Sequence, residues 1–547
     1  MSADAMLVHQ LLERSARDTP EAPALLTTKG LATYDQLTRL SGRYAHACLR
    51  HGVQPRDRVV LALENSIDFV AAYFGVMRAG AVAVPLPAGP RNDRLAAAIV
   101  DCAPSLGITD RATLRAVAPD SDAANVRWLV STSANGRVES GGGYTPSETV
   151  EAALAAAPAT PPPTIDIADD SLAAVVYTSG STGSARGVML THRNIVANTR
   201  SIVACLGLTA SDRVMCVLPL YYVYGLSLLH THVMVGGSVV LDNRFAYPNV
   251  VLQAMRERHV TGFAGVPSTF AILLHRSDLK TMTFPDLRYV TQAGGAMPPS
   301  HICAWLAEGP PVPFHVMYGA TEASARITCL PPGDLPRKIG SIGRPIHGVG
   351  VDVVTEDGRP ARPGEVGELV ARGENISPGY WGHPDETRRA FGQGGYRTGD
   401  LGYADEEGYL FLVGRRQDIL KVGAHRIGVR EIEDVLCQHP AIHQAAVVGA
   451  PHELLGEVPV AFVTMRDGPA GVGEQAIRAY CAAKLPPHKV PVKIEFLREL
   501  PSHAAGKIDK VTLKACARSM AHAGEGHASD DDGYGHHRDD GPELHRQ

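Results

Sequence analysis

From Tyr177 to His192 the chain reads YTSGSTGSARGVMLTH, and the β-rich run AAVVYTS leads straight into it. Gly180, Gly183 and Gly187 lie among Thr178, Ser179, Ser181 and Thr182, with Arg186 close behind. Glycines leave backbone N–H groups open, short hydroxyls add donors and a guanidinium adds a forked cation, so the composition is that of a loop that wraps phosphate. It is not the common nucleotide P-loop, which needs GxxxxGK before Ser or Thr; Val188 follows Gly187 here. The competing reading is a flexible Gly/Ser linker, and the strand and helix patterns on either side favour a fixed turn instead.

A chain of 547 residues exceeds what one core usually organises, so two or more domains are expected. The formal charge of −5 is carried by residues 521–547, which hold seven acids and two arginines, leaving the body neutral. A neutral body without Lys/Arg clusters interleaved with aromatics excludes a nucleic-acid partner. Nine cysteines without any CxxC spacing fit reduced thiols and a cytoplasmic protein. The N-terminus breaks its apolar residues with charges, so it lacks a signal-peptide core. FVAAYFGVMRAGAVAVPLP carries Arg78 mid-run and ends in prolines, which predicts a buried helix followed by a strand and no membrane span.

Alternating helical and β-rich runs, with strands at Arg58 to Leu63 and Ala81 to Pro85, predict βαβ units and an α/β sheet. The proline-rich stretch Ala155 to Pro163 reads as a surface loop. Dense Gly and Pro between Val351 and Val413 predict a β-rich subdomain. After Gly414 the pattern becomes a small α+β unit, with VREIEDVLCQHP and EQAIRAYCAAKL helical and HQAAVVGA and VPVAFVTMR extended. The expected division is therefore residues 1–414, 415–520 and a disordered, charged tail over 521–547, whose five histidines lack any fixed metal spacing.

Three further motifs carry chemistry. HVMYGATEASARI centres on Tyr318 to Glu322; Glu322 offers a hard oxygen to Mg²⁺ with Thr321 beside it, or the segment is a turn and helix N-cap. In YRTGDLGY, Asp400 is either an exposed turn acid or a carboxylate that accepts both hydroxyls of a ribose, with Arg415 fifteen residues on. LPSHAAGKIDK places Lys507 in a late loop, where a lysine is ordinarily solvated.

The four motifs in this order resemble the adenylate-forming superfamily of acyl-CoA and aryl-CoA synthetases, peptide-synthetase adenylation domains and firefly luciferase, over about residues 8 to 515. The resemblance implies a large N-terminal α/β domain, a small mobile C-terminal domain and an active site between them. It implies a carboxylate attacking the α-phosphate of Mg-ATP, then transfer of the acyl group to a thiol, either of CoA or of a carrier-protein phosphopantetheine. Carried over, Thr178, Ser179, Gly180, Ser181, Thr182 and Gly183 with Arg186 grip pyrophosphate. Gly294, Gly295 and Ala296 match the strand on one adenine face and Tyr318 the ring on the other. Thr321 and Glu322 match the phosphate and Mg²⁺ positions, Asp400 and Arg415 the ribose contacts, and Lys507 the catalytic lysine. A fixed cation there lowers the repulsion between two anions brought together.

Gln417, Lys421, Gly423 and Ala424 match the hinge and thiol channel, where Ala424 replaces a common glycine and Ala185–Arg186 replaces Pro-Lys. The resemblance places Tyr222, Tyr224, Gly225, Val266, Met317 and Gly319 around the acid. PLYYVYGLS supplies no aspartate for a substrate ammonium, so an α-amino acid is disfavoured and an apolar aryl, cyclic or medium-chain acid is expected; each of these residues is equally well simple core packing. A degenerate homologue that binds without turnover is the reading of a different class.

Overall fold

The structure is a computed structural model that describes residues 6–89, 93–116, 126–131, 148–179, 185–392, 394–423, 425–466, 472–502 and 508–525. The chain forms two compact units, Met1–Gln417 with Ser502–Ile508, and Asp418–Pro501 with Asp509–Gln547.

The larger unit holds two sheets. Among the described residues the first has eight strands, and its centre is parallel: Arg58–Ala62 lies between Val82–Pro85 and Leu106–Asp110. The apolar run read as helix then strand is the helix Ile67–Arg78, capped by Ser66 on the Phe69 N–H at 3.1 Å, followed by Val82–Pro85. Phe69 through Met77 are all buried, which explains why this helix is apolar all round.

The second sheet, of fourteen strands among the described residues, changes direction midway. Arg213–Cys216, Gly262–Gly265, Tyr289–Gln292 and Phe314–Tyr318 run parallel, and from Phe314–Tyr318 onward the partners Thr328–Leu330 and Ser341–Pro345 are antiparallel. Ser341 pairs with Phe411, and the sheet continues through Leu410–Arg415, Gly395–Ala404, Gly367–Gly373 and Val349–Val354. The β-rich segment expected between Val351 and Val413 is present, and Ser341–Pro345 bonds it to the main sheet. The proline-rich stretch is a largely exposed part of this unit.

The smaller unit is a sheet of five strands among the described residues, with Lys493–Leu497 parallel to Gly456–Met465 and the rest antiparallel. Ile432, Leu436, Ile442, Val447, Val463 and Ile477 form its core. Its last helix, Lys510–Glu525, runs past Ala521, so the stretch expected to be a disordered tail begins helical; Ala515, Ala517, Met520 and Ala521 are all compatible with helix. The remainder of that tail lies outside the described residues. All nine cysteines are free thiols, six of them buried. Among the described residues no helix is long and apolar enough to cross a membrane.

Candidate active site

The glycine-rich loop closes a β-hairpin. Leu172–Ser179 pairs antiparallel with Ala185–Thr191, with Tyr177 opposite Gly187, Thr178 opposite Arg186 and Ser179 opposite Ala185. The helix His192–Leu206 begins only after that second strand, so the loop joins two strands and not a strand to a helix. Gly180, Ser181, Thr182 and Gly183 lie outside the described residues. Gly187 is not one of the phosphate-facing glycines: a Cβ there would sit 2.7 Å from Val175 Cγ1 and 3.1 Å from the Tyr177 ring, and its carbonyl accepts the Trp381 N–H at 2.8 Å. It is glycine so that the Tyr177 ring can cross the hairpin. Arg186 Nε lies 2.6 Å from Glu386 Oε2, and its guanidinium is 5.7 Å from the centre of the Tyr380 ring.

Where the main sheet changes direction, Phe314–Tyr318 runs into a tight turn. The crevice beyond strand ends at such a switch is where open α/β sheets place ligands. The Tyr318 hydroxyl donates to Asp400 Oδ2 at 2.6 Å, and Arg415 Nε lies 3.2 Å from Asp400 Oδ1, its partner across the strands. Asp400 is only 8% exposed and extended within Gly395–Ala404, so it is not the exposed turn acid of the alternative reading. Thr398 positions it locally, accepting the Asp400 N–H at 3.1 Å and donating to the Leu369 carbonyl at 2.8 Å. Burial, and Asp400 beside it, push the Tyr318 hydroxyl far above its ordinary pKa, so it remains a donor.

Thr321 and Glu322 open a single 3₁₀ turn, Thr321–Ala323, rather than a helix. The Tyr380 hydroxyl donates to Glu322 Oε1 at 2.9 Å, while among the described residues Oε2 has no donor. Burial and then Glu322 push the Tyr380 hydroxyl upward as well. The donor set fits a hard divalent cation: one carboxylate with a free oxygen and an adjacent hydroxyl, the rest left to water and phosphate.

Past Glu322 the backbone is strained. Ser324 and Ala325 take φ of 56° and 122°, and such conformations persist only where surroundings over-determine them. The helix His192–Leu206 supplies the restraint through one face, on which Asn194 and Asn198 lie one turn apart. Asn198 donates to the Arg326 carbonyl at 2.8 Å and accepts the Arg326 N–H at 3.1 Å. Asn375 donates to the Ala323 and Arg326 carbonyls, and Asn194 holds the Glu374 and Ile376 carbonyls beside it.

Of the residues expected around the acid, Val266 shares the neighbour Gly294 with Tyr224. The Tyr224 hydroxyl reaches Thr291 Oγ1 at 3.1 Å, and Tyr224 lies in the helix Val223–Val235, which Tyr222 caps with a half-buried ring 4.5 Å from that of Tyr221. Gly294 has φ of +82°, and a Cβ there would lie 2.9 Å from Val266 Cγ1 and 3.6 Å from Tyr224 Cδ1. Val266 and Met317 are buried, Gly225 packs against the Pro219 carbonyl and Gly319 against Ala325. Gly294, Gly295 and Ala296 follow the strand Tyr289–Gln292 instead of belonging to it; Gly295 is fixed through its carbonyl by Gln292 at 2.8 Å. The Arg326 guanidinium stacks 4.0 Å over the Tyr224 ring.

In the smaller unit Lys421 lies on the strand Ile419–Val422, its N–H donated to Glu457 Oε2 at 2.9 Å. Gly423 has φ of +57° and donates to the Leu455 carbonyl at 2.8 Å. Gln417 lies in the turn Arg416–Asp418, at the end of the larger unit. Ala424 and Lys507 lie outside the described residues. Sequence reasoning missed Tyr380, Glu386, Asn198, Asn375 and Arg326. Only Arg326, four residues past Glu322 in an otherwise small and apolar run, carried a local signal.

The profile of AMP-binding enzymes matches residues 12–381, and that of the AMP-binding enzyme C-terminal domain matches 431–507. The chain is 39% identical to the sulfoacetate–CoA ligase of Cupriavidus necator, over 66% of this chain and 69% of that one. It is 30% identical to the 2-succinylbenzoate–CoA ligase of Geobacillus kaustophilus, over 92% and 96%. Its fold is similar to o-succinylbenzoate CoA synthetase from Bacillus subtilis in complex with an acyl-adenylate intermediate, with a TM-score of 0.81 at 28% identity, covering 92% of this chain and 97% of that one.

Proposed function

The chain belongs to the AMP-binding enzyme family and is an AMP-forming acid–CoA ligase, and from that premise we propose how its residues divide the reaction. The acid's carboxylate attacks the α-phosphate of ATP, the bond to the β-phosphate breaks and pyrophosphate leaves. The CoA thiol then attacks the acyl carbon, loses its proton, and AMP departs.

The observation that carries the assignment of residues is the hydrogen-bonded and ion-paired set Tyr318–Asp400–Arg415, with Thr321 three residues after Tyr318. Asp400 and Arg415 take the ribose, and Tyr318 faces adenine. Thr321 and Glu322 hold phosphate and Mg²⁺, which supplies charge neutralisation when bound. The hairpin tip after Thr178 takes the departing phosphates; Arg186 joins it by exchanging Glu386 for phosphate. Lys507 offsets the repulsion between the two anions as they meet. Gln417, Lys421, Gly423 and Ala424 serve the hinge and the thiol channel. The free thiols suit a reducing compartment, and we place the enzyme in the cytoplasm.

The test is release of AMP and pyrophosphate from Mg-ATP across a panel of carboxylic acids, with and without CoA. Acyl-CoA formation that Lys507→Ala abolishes supports the reading. Pyrophosphate release that CoA leaves unchanged points to a carrier-protein thiol, and no release with any acid overturns the proposal.

A further inference from the structure

Resting on that reading, we propose that the acid carries a second anionic group at its far end, and that Arg326 receives it. The far-end group is a carboxylate or a sulfonate.

Arg326 is 3% exposed, and among the described residues no carboxylate comes within ion-pairing distance of it. Its Nη1 reaches the neighbouring Ala325 carbonyl at 3.3 Å, the Tyr224 side chain is its other hydrogen-bonding neighbour, and its Nε is buried without a hydrogen-bond partner. The groups facing it are the Tyr224 ring and hydroxyl and the thiols of Cys205 and Cys329. Burial without a counter-ion is among the most costly placements for a guanidinium, and proteins pair such charges or bind an ion with them.

The location connects this charge to the acid. The Arg326 guanidinium stacks on the same Tyr224 ring that flanks Gly294 and Val266, and its Cα abuts Gly319, beside Met317. Its backbone is clamped by Asn198 and Asn375, so the side chain is presented from a fixed base. A planar guanidinium with open N–H groups takes a carboxylate or sulfonate through two parallel hydrogen bonds. The apolar walls then set the length of the acid and the arginine sets its far end. On this proposal the acid keeps the apolar body expected from the sequence and adds a charged far end.

The test uses the full chain with Mg-ATP and CoA and reads acyl-CoA formation with chain-matched acids: alkanoates, α,ω-dicarboxylates and ω-sulfoalkanoates of graded length, together with benzoates bearing neutral or anionic substituents. The expected result is kcat/KM at least about 10-fold higher for an anion-ended acid than for its neutral match, with the carboxylate and sulfonate arms telling which anion fits. Arg326→Met should remove about 100-fold from the anion-ended acid, leave the neutral acid and the KM for ATP within a few-fold, and Arg326→Lys should restore part of the loss. Preference for neutral acids at every length overturns the inference while leaving the ligase reading intact, as does an Arg326→Met variant that lowers all acids equally. No AMP with any acid overturns both. Because the wild-type preference is read without a variant, failure of Arg326→Met to fold does not prevent a decision.

Discussion

The turn after Phe314–Tyr318 separates two regions that treat charge in opposite ways. On the side of Asp400 each charged group has a protein partner: Tyr318 and Arg415 on one carboxylate, Glu386 on Arg186, and Tyr380 on one oxygen of Glu322, whose other oxygen is open. On the side of Tyr224 the walls are aromatic and aliphatic, and the single cation, Arg326, has no acid beside it among the described residues. The first region is organised before any ligand arrives and keeps one carboxylate oxygen for a cation, whereas the second, on the proposal above, is completed by the charge of the acid itself. A site of the first kind suits a ligand that never changes, and one of the second kind makes the ligand part of the charge balance.

The largest effect expected on this contrast is from Asp400→Ala. It strips the partner from both Tyr318 and Arg415 and should cut kcat/KM for ATP by about 100-fold or more, with the ranking of acids unchanged. AMP release against ATP concentration reads it, and a changed acid ranking would break the separation. Asn198→Ala, which frees the Arg326 N–H and removes one of the two donors on its carbonyl, should lower stability by about 2 kcal/mol in thermal unfolding and weaken discrimination among acids more than it raises the KM for ATP. Tyr380→Phe removes one hydrogen bond from Glu322 and should cost about 10-fold in rate while raising the Mg²⁺ concentration for half-maximal AMP release. Tyr224→Phe is expected to be smallest: losing the hydroxyl contact to Thr291 while keeping the ring under Arg326 should cost under about 1 kcal/mol of stability and leave the acid ranking in place.

The regular parts were legible because their periods are local. Buried Phe69–Met77, and strand–helix alternation in the smaller unit, show in the spacing of apolar residues. The hairpin was not, because Gly187 reads as a loop residue until the Tyr177 ring is seen to occupy the place of its side chain. Asp400 looked like a turn acid because Thr-Gly-Asp is turn chemistry; what buries it is Tyr318, 82 positions earlier. Tyr380, Asn198 and Asn375 act on the site through partners more than fifty residues away in the chain, and one sequence contains no trace of such pairings. The charge on Arg326 was visible, but its lack of a partner is a property of the folded surroundings.

The segment Ala323–Arg326 is held mainly through its carbonyls and N–H groups, by asparagines on other elements. A backbone fixed from outside does not depend on which side chains it displays. Position 326 can therefore be exchanged without dragging Glu322 along, and substrate choice becomes separable from nucleotide handling. Retargeting the enzyme to a new acid would then require few simultaneous changes, because the scaffold tolerates variation at the point where variety is useful.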